Sequence, residues 1–236
     1  LPLSIRRQRQ MCIRDRRMRV ALFGRSLAGI SLANAMERAG HTVEMLDDPA
    51  ELGSFQALIL AVGETRLDAA VELVEDHVHK GLIAFHTCLS RGVQGLDPLE
   101  THGCIVAAIA PMAGGRWAVS TLDELGESIA DFVLSEFRAH AVPLSDAERP
   151  AFAARSYYIE MLSRLHLAAA VEANFFAEFD EIPPSEFDID SEDIIAAYRG
   201  ATDPGMRRHY LETARRLGEV EDRTELEMWA LQEESR

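Results

Sequence analysis

Gly24, Ser26 and Gly29 punctuate the stretch VALFGRSLAGISLANAMERAGHTVEMLDD, Val20 to Asp48, and two carboxylates, Asp47 and Asp48, close it. In a strand-turn-helix, a glycine at the first of these positions permits a tight turn. A glycine at the middle one lets backbone approach a diphosphate, and a glycine at the last lets the helix pack on the strand. Ser26 replaces only the middle glycine. Its hydroxyl can donate to a phosphate while its Cβ narrows the approach, so dinucleotide binding is expected to be weakened, not abolished. Asp47 follows the turn by about 20 residues, where an acid accepts from an adenosine 2′-hydroxyl and repels a 2′-phosphate. NAD is therefore preferred over NADP. Asp48 is the alternative acid, and Arg25 in the turn would favour the phosphate. The cofactor set is Gly24, Arg25, Ser26, Leu27, Gly29, Asp47 and Asp48, with Val62 and Gly63 along the nicotinamide-side ribose. The competing readings are a sheet turn without a ligand and two acids ending a strand in solvent.

A second group of chemically capable residues follows a later strand. His86, Thr87, Cys88 and Ser90 stand where a substrate or a nicotinamide amide would be met. His86 is the candidate acid or base, because an imidazole exchanges protons near neutrality; a lone histidine ending a strand also serves structure. Cys88 lacks a base partner, so covalent catalysis is not expected, and Thr87 and Ser90 have the alternative of satisfying loop backbone. Further along, Arg155, Tyr157 and His166 share a long helix from which a carboxylate could be bound, the arginine doing so bidentately; an interface or a solvated face is their other reading. No metal site is expected: His77 and His79, two apart on a helix, point to different sides.

These residues need a scaffold, and the hydrophobic pattern supplies one. Strands are predicted at Arg19 to Phe23, Thr42 to Leu46, Ala57 to Val62, Leu82 to His86, Cys104 to Ile109, Trp117 to Ser120 and Ala141 to Leu144. Ala28, Leu32, Ala35 and Ala39 mark a first helix that Gly40 stops; further helices are read from Leu67 to His79 and Leu122 to Phe137. The run ALILAV suits a parallel strand covered on both faces. Alternation of this kind predicts an α/β fold, a Rossmann-type doubly wound parallel sheet with its ligand at the carboxyl ends of the strands. From Asp146 to about Phe179, Tyr158, Leu162, Leu165, Ala169, Phe176 and Phe179 follow helical spacing, with Met161, Ala168 and Phe175 beside them. A helix of roughly 30 residues is about 45 Å long, more than this domain buries alone, which predicts a homodimer through the helical region. After Pro183 and Pro184 comes an acidic loop, then shorter helices at Glu192 to Tyr198, Gly205 to Leu217 and Arg223 to Gln232. The expected organisation is residues 18–145 as the dinucleotide domain and residues 146–236 as an all-helical domain for dimerisation and substrate.

Residues 1–17 are set apart. RRQRQMCIRDR, Arg6 to Arg16, back-translates codon by codon into a common transposase sequencing adapter, so Met18 is the expected native start. Among 236 residues, 24 are basic and 39 acidic; without the six arginines and one aspartate of that segment the formal balance is −20. Such a chain repels nucleic acid and anionic membrane. No run of 18 apolar residues occurs, and Cys88 and Cys104, the cysteines outside the segment, are too few for a disulfide framework. A cytoplasmic protein acting on a small molecule is expected. Lys80 is the sole lysine, an arginine bias typical of GC-rich bacterial coding sequence.

The segments FGRSLAGISLA, LILAVGETRL, FHTCLSRGVQGLDPL and IVAAIAPMAGG resemble the 6-phosphogluconate dehydrogenase-like superfamily. Within it the chain is similar to bacterial relatives of pyrroline-5-carboxylate reductase that join a Rossmann-like domain to a helical domain of unknown function. APMAGG also resembles prephenate dehydrogenases. The resemblance implies NAD(P)-dependent hydride transfer and a helical dimerisation domain. The chain departs from it in three places: Gly63 follows Val62 where proline is usual, Ala110 precedes Pro111 where histidine is common, and Ala153 and Ala154 stand where relatives carry histidine. The lysine used in the β-hydroxyacid dehydrogenase and ketopantoate reductase branches has no counterpart here, because Lys80 precedes the fourth strand, away from the crevice. Two functions are therefore carried forward: an oxidoreductase acting on a small, carboxylate-bearing keto or imine metabolite, and a dinucleotide-binding sensor or partner subunit without turnover.

Overall fold

The computed structural model describes residues 17–172 and 189–236. Seven strands form one sheet: β1 Arg19–Gly24, β2 Thr42–Met45, β3 Ala57–Ala61, β4 Ile83–His86, β5 Ile105–Met112, β6 Arg116–Thr121 and β7 His140–Pro143. Their order is β2-β1-β3-β4-β5-β6-β7. The first five run parallel, with Leu22 beside Met45 on one side and Ile59 on the other. The chain thus leaves β1 in one direction for β2 and in the other for β3. That reversal opens the crevice in which doubly wound sheets bind ligands, at the β1/β3 switch point of this strand order.

The doubly wound parallel sheet predicted from the sequence is present, with one exception: β6 runs antiparallel to β5. Ala113, Gly114 and Gly115 alone join these strands, too short a link for a crossover; Gly114 and Gly115 both take positive φ. The APMAGG motif is therefore the end of β5 and a hairpin turn.

Helices α1 Leu27–Arg38, α2 Leu67–Val74, α3 Asp97–Thr101 and α4 Glu124–Glu136 cover the sheet. Alternation along β3 divides its side chains: Leu58 and Leu60 join the core under α2 and α3, while Ala57, Ile59 and Ala61 face Leu32 and Met36 of α1 and Val133 of α4. Every residue of β3 is buried, as its unbroken apolar run requires.

The long helix α5 spans Arg149–Glu172. Its expected continuation through Phe175, Phe176 and Phe179, and the break at Pro183 and Pro184, lie outside the described residues. The buried side of α5 also differs from the predicted stripe. Ala153, Ala154, Tyr157 and Met161 enter the core, while Leu162 is exposed. Apolar residues encircle much of this helix, so spacing alone does not choose the inward face. Neighbouring backbone approaches the start of α5 closely: a Cβ added at Gly200 would lie 1.9 Å from the Pro150 carbonyl oxygen. Helices α6 Ser191–Ala197, α7 Pro204–Val220 and α8 Thr224–Glu234 complete the bundle. One core cluster joins Leu89, Ala110, Met112 and Ala118 of the sheet region to Tyr198, Tyr210 and Leu217 of the helices. Among the described residues, no helix is long and apolar enough to cross a membrane.

Candidate functional site

The β1 turn is built around Ala61 at the end of β3. Gly24 has φ +99°, and a Cβ there would lie 2.3 Å from the Ala61 carbonyl oxygen. Ser26 N donates to that oxygen at 2.8 Å. A Cβ on Gly29 would lie 2.2 Å from the Ala61 Cβ. Both glycines therefore stand where a side chain would push α1 and β3 apart. Ser26 acts locally, its Oγ accepting from Gly29 N at 3.2 Å and so capping α1.

The free amides of a helix amino terminus attract anions, and here one has an anionic partner from the distant helical region. Leu27 N donates to Asp190 Oδ2 at 3.1 Å. The neighbouring turn after β3 is engaged in the same way. Glu64 N donates to Asp193 Oδ1 at 3.1 Å, and Arg66 Nη2 donates to Glu192 Oε2 at 2.7 Å. Thr65 Oγ1 donates to Glu192 Oε1. The Glu192 carboxylate lies over Gly63, where a Cβ would stand 2.6 Å from Glu192 Cδ. The acids at the start of α6 thus lie across the carboxyl ends of β1 and β3.

Beneath them is a buried acidic cluster. Glu64 is 2% exposed and accepts from Ser90 N at 2.8 Å and Ser90 Oγ at 2.5 Å. Burial raises its carboxyl pKa against the opposing effect of those bonds. Asp193 is pushed up to about 7, chiefly by burial and then by the Glu64 charge. Tyr157, buried beside both, has its phenol raised by burial and then by Asp193 and Glu64. Ser90 and Tyr157, predicted for substrate, are thereby brought to one cluster, with Glu64 and Asp193 added to it.

His86 departs from the accessible acid or base expected of it. It is fully buried; Nε2 lies 2.9 Å from the Gly92 carbonyl oxygen and Nδ1 accepts from Cys88 N at 3.2 Å. This pairing makes Nε2 the protonated nitrogen of a neutral ring, and burial lowers the pKa to about 3. The ring fastens its own loop. Cys88 is also buried, and burial followed by the Glu64 charge raises its thiol pKa well above the ordinary value, the reverse of an activated nucleophile. Thr87 is buried, and its Oγ1 has no hydrogen-bond partner among the described residues.

Other predicted positions are dispersed. Asp47 is exposed beyond β2. Asp48 accepts from Ala50 N at 2.9 Å and so caps the short 3₁₀ turn Pro49–Ser54. Arg25 is exposed, and Leu27 and Val62 are half-buried. Arg155 and His166 are both exposed, about 16 Å apart along α5 by helical rise, while Tyr157 is buried on another side. They do not form one carboxylate pocket. Lys80 precedes β4, at the sheet's amino-terminal edge.

Arg149, unforeseen from the sequence, organises the rear of the site. Its guanidinium is fully buried and donates to the carbonyl oxygens of Cys88, Leu89 and Arg91 at 3.0, 3.3 and 3.0 Å. It also reaches the Ala108 and Ala118 carbonyls at 2.9 and 3.3 Å and Ser120 Oγ at 2.6 Å. Burial lowers its pKa to about 10, leaving it charged at neutrality. An arginine beside Pro150 at an apolar helix start is the one signal the sequence offers for it.

This arrangement, a Rossmann-like sheet with an amino-terminal glycine turn and a helical region against its carboxyl edge, is the fold of many nicotinamide-dependent dehydrogenases and reductases. A Bacteroides fragilis protein assigned as an NADP oxidoreductase superposes with TM-score 0.55 at 13% identity, covering 93% of this chain and 97% of its own. Pyrroline carboxylate reductase from Plasmodium falciparum, solved with NADP bound, gives 0.53 at 10% identity over 69% and 71%. Prephenate dehydrogenase from A. aeolicus, in complex with hydroxyphenyl propionate and NAD+, gives 0.51 at 13% over 92% and 90%. At these identities the likeness is one of fold. No protein-family model and no curated protein matches the sequence.

Proposed function

We propose that the chain binds a nicotinamide dinucleotide at the β1/β3 switch point and transfers hydride to or from a small, carboxylate-bearing keto or imine metabolite. The observation that carries this reading is the turn itself. Gly24 and Gly29 stand where side chains would collide with Ala61, and the α1 terminus already holds a carboxylate oxygen at Leu27 N, the kind of anionic group a diphosphate would present there. The nicotinamide supplies or accepts the hydride, while the protein positions it and handles a proton. Asp47, exposed beyond β2, supports NAD over NADP. The pair Glu64 and Asp193, with its raised pKa values, supports proton handling at the carboxyl end of β3.

A second reading, a dinucleotide-binding protein without turnover, draws on His86, whose ring nitrogens are both engaged within its own loop. The proposal also takes a second copy of the chain as cover for α5, where Arg155, Ile159, Leu162 and His166 form an exposed stripe. Titration with NADH and NADPH, followed by nicotinamide fluorescence and thermal shift, tests the shared element. NADH is expected to raise the melting temperature more than NADPH, and no shift with either overturns both readings. Turnover of a panel of keto acids and cyclic imines then separates them.

A further inference from the structure

The first residues of α6 stand where the ligand of this site would stand. Asp190 takes the Leu27 amide, Glu192 lies on Gly63 and is held by Thr65 and Arg66, and Asp193 takes the Glu64 amide. Asp190 and a phosphate oxygen cannot both accept from Leu27 N in one geometry. The approach over Gly63, along the expected nicotinamide-side ribose, is filled by the Glu192 carboxylate. We propose that Asp190, Glu192 and Asp193 form an autoinhibitory clasp that occupies the dinucleotide's anionic and ribose positions and must be displaced when the dinucleotide binds.

This inference rests on the dinucleotide reading above and adds its regulation. Three carboxylates at the N-cap and first turn of α6 grip four donors, three of them on Glu64 to Arg66, so closure is specific to this edge of the sheet. It is also costly, because Asp193 is buried against Glu64, two like charges in a poorly solvated place. Opening must also work against the burial of Ile189 and Ile194, which flank the three acids in the helical core. A ligand that binds only the open form has its affinity reduced by the open fraction.

Two variants separate a clasp from simple charge repulsion, since they change net charge in opposite directions. Asp190→Ala removes a negative charge and the Leu27 contact; Arg66→Met removes a positive charge and releases Glu192. Fluorescence titration with NADH and NADPH is expected to show both variants binding roughly tenfold tighter than wild type. Amide exchange at Leu27 is expected to quicken in unliganded Asp190→Ala. Tighter binding by Asp190→Ala with unchanged or weaker binding by Arg66→Met would mean electrostatics alone and would overturn the clasp. Equal binding by all three proteins would overturn it while leaving the dinucleotide reading intact. No binding by any of the three, with Leu27 exchange quickened, would make the segment a structural fastening and refute the dinucleotide reading itself.

Discussion

At the residue scale the site is dominated by buried groups whose protonation is tied to the fold. Asp193 has its pKa raised to about 7, so the folded state holds its proton more tightly than an unfolded chain does. Its neutral form is accommodated below the ordinary aspartate range, and stability is lost as pH rises from about 4 through 7. Asp193→Asn mimics the neutral acid. Differential scanning fluorimetry should find the variant gaining several degrees on wild type between pH 5 and pH 8. This corresponds to roughly 1–3 kcal/mol at about 2–4 °C per kcal/mol. A gap that does not change with pH would mean that Asp193 is ionised throughout. His86 acts with the opposite sign: its pKa is depressed to about 3 from 6.5, so its neutral ring costs stability only as pH falls below about 6.5. Little of this is legible in the sequence. Glu64 directly follows Val62 and Gly63, where the cofactor is expected, yet nothing in its own surroundings marks it as buried. Asp190, Glu192 and Asp193 belong to the run DIDSED, which has the composition of a solvated loop. The burial of Asp193 and the half-burial of Asp190 and Glu192 come from where α6 docks, and no local pattern encodes that.

At the scale of elements, the parts nearest the amino terminus are the most legible, because glycine turns and buried parallel strands have strong local signatures. The β1-α1-β2 unit follows the predicted spans within a residue or two. Gly24 and Gly29 serve the turn and the helix packing their positions imply. Legibility falls where a choice depends on a partner: the direction of β6 is set by a three-residue link, and the inward face of α5 by what packs on it. Arg149 is the clearest case. It ties the loop after β4, the β5–β6 pair and the start of α5 together through five carbonyls and a hydroxyl. Replacing it by methionine would leave those buried acceptors unsatisfied and is expected to cost at least about 3 kcal/mol. Urea denaturation measures this directly. A loss below about 1 kcal/mol would show that water replaces the guanidinium and that the loop carrying Cys88 and Ser90 holds itself.

At the scale of the whole molecule, the sheet and the helices share core contacts through Leu89, Ala110, Met112 and Ala118, so the helical region shapes the crevice edge as well as any subunit contact. Ala110, Ala153 and Ala154 are all fully buried; at each, the absence of the histidine that the resemblance implies leaves a small apolar side chain in packed surroundings. If a second copy covers the Ile159 and Leu162 stripe, light scattering at micromolar protein should give about twice the 26.2 kDa chain mass, and a monomer mass would remove that element of the proposal. Hydrogen exchange with and without saturating NADH tests whether a nicotinamide dinucleotide sits between β1 and β3. Exchange is predicted to change at the Gly24 to Gly29 turn and at Gly63 and Glu64, with deprotection of the Asp190 to Asp193 segment as it leaves. Saturation with NADH that leaves both turns unchanged would contradict the account.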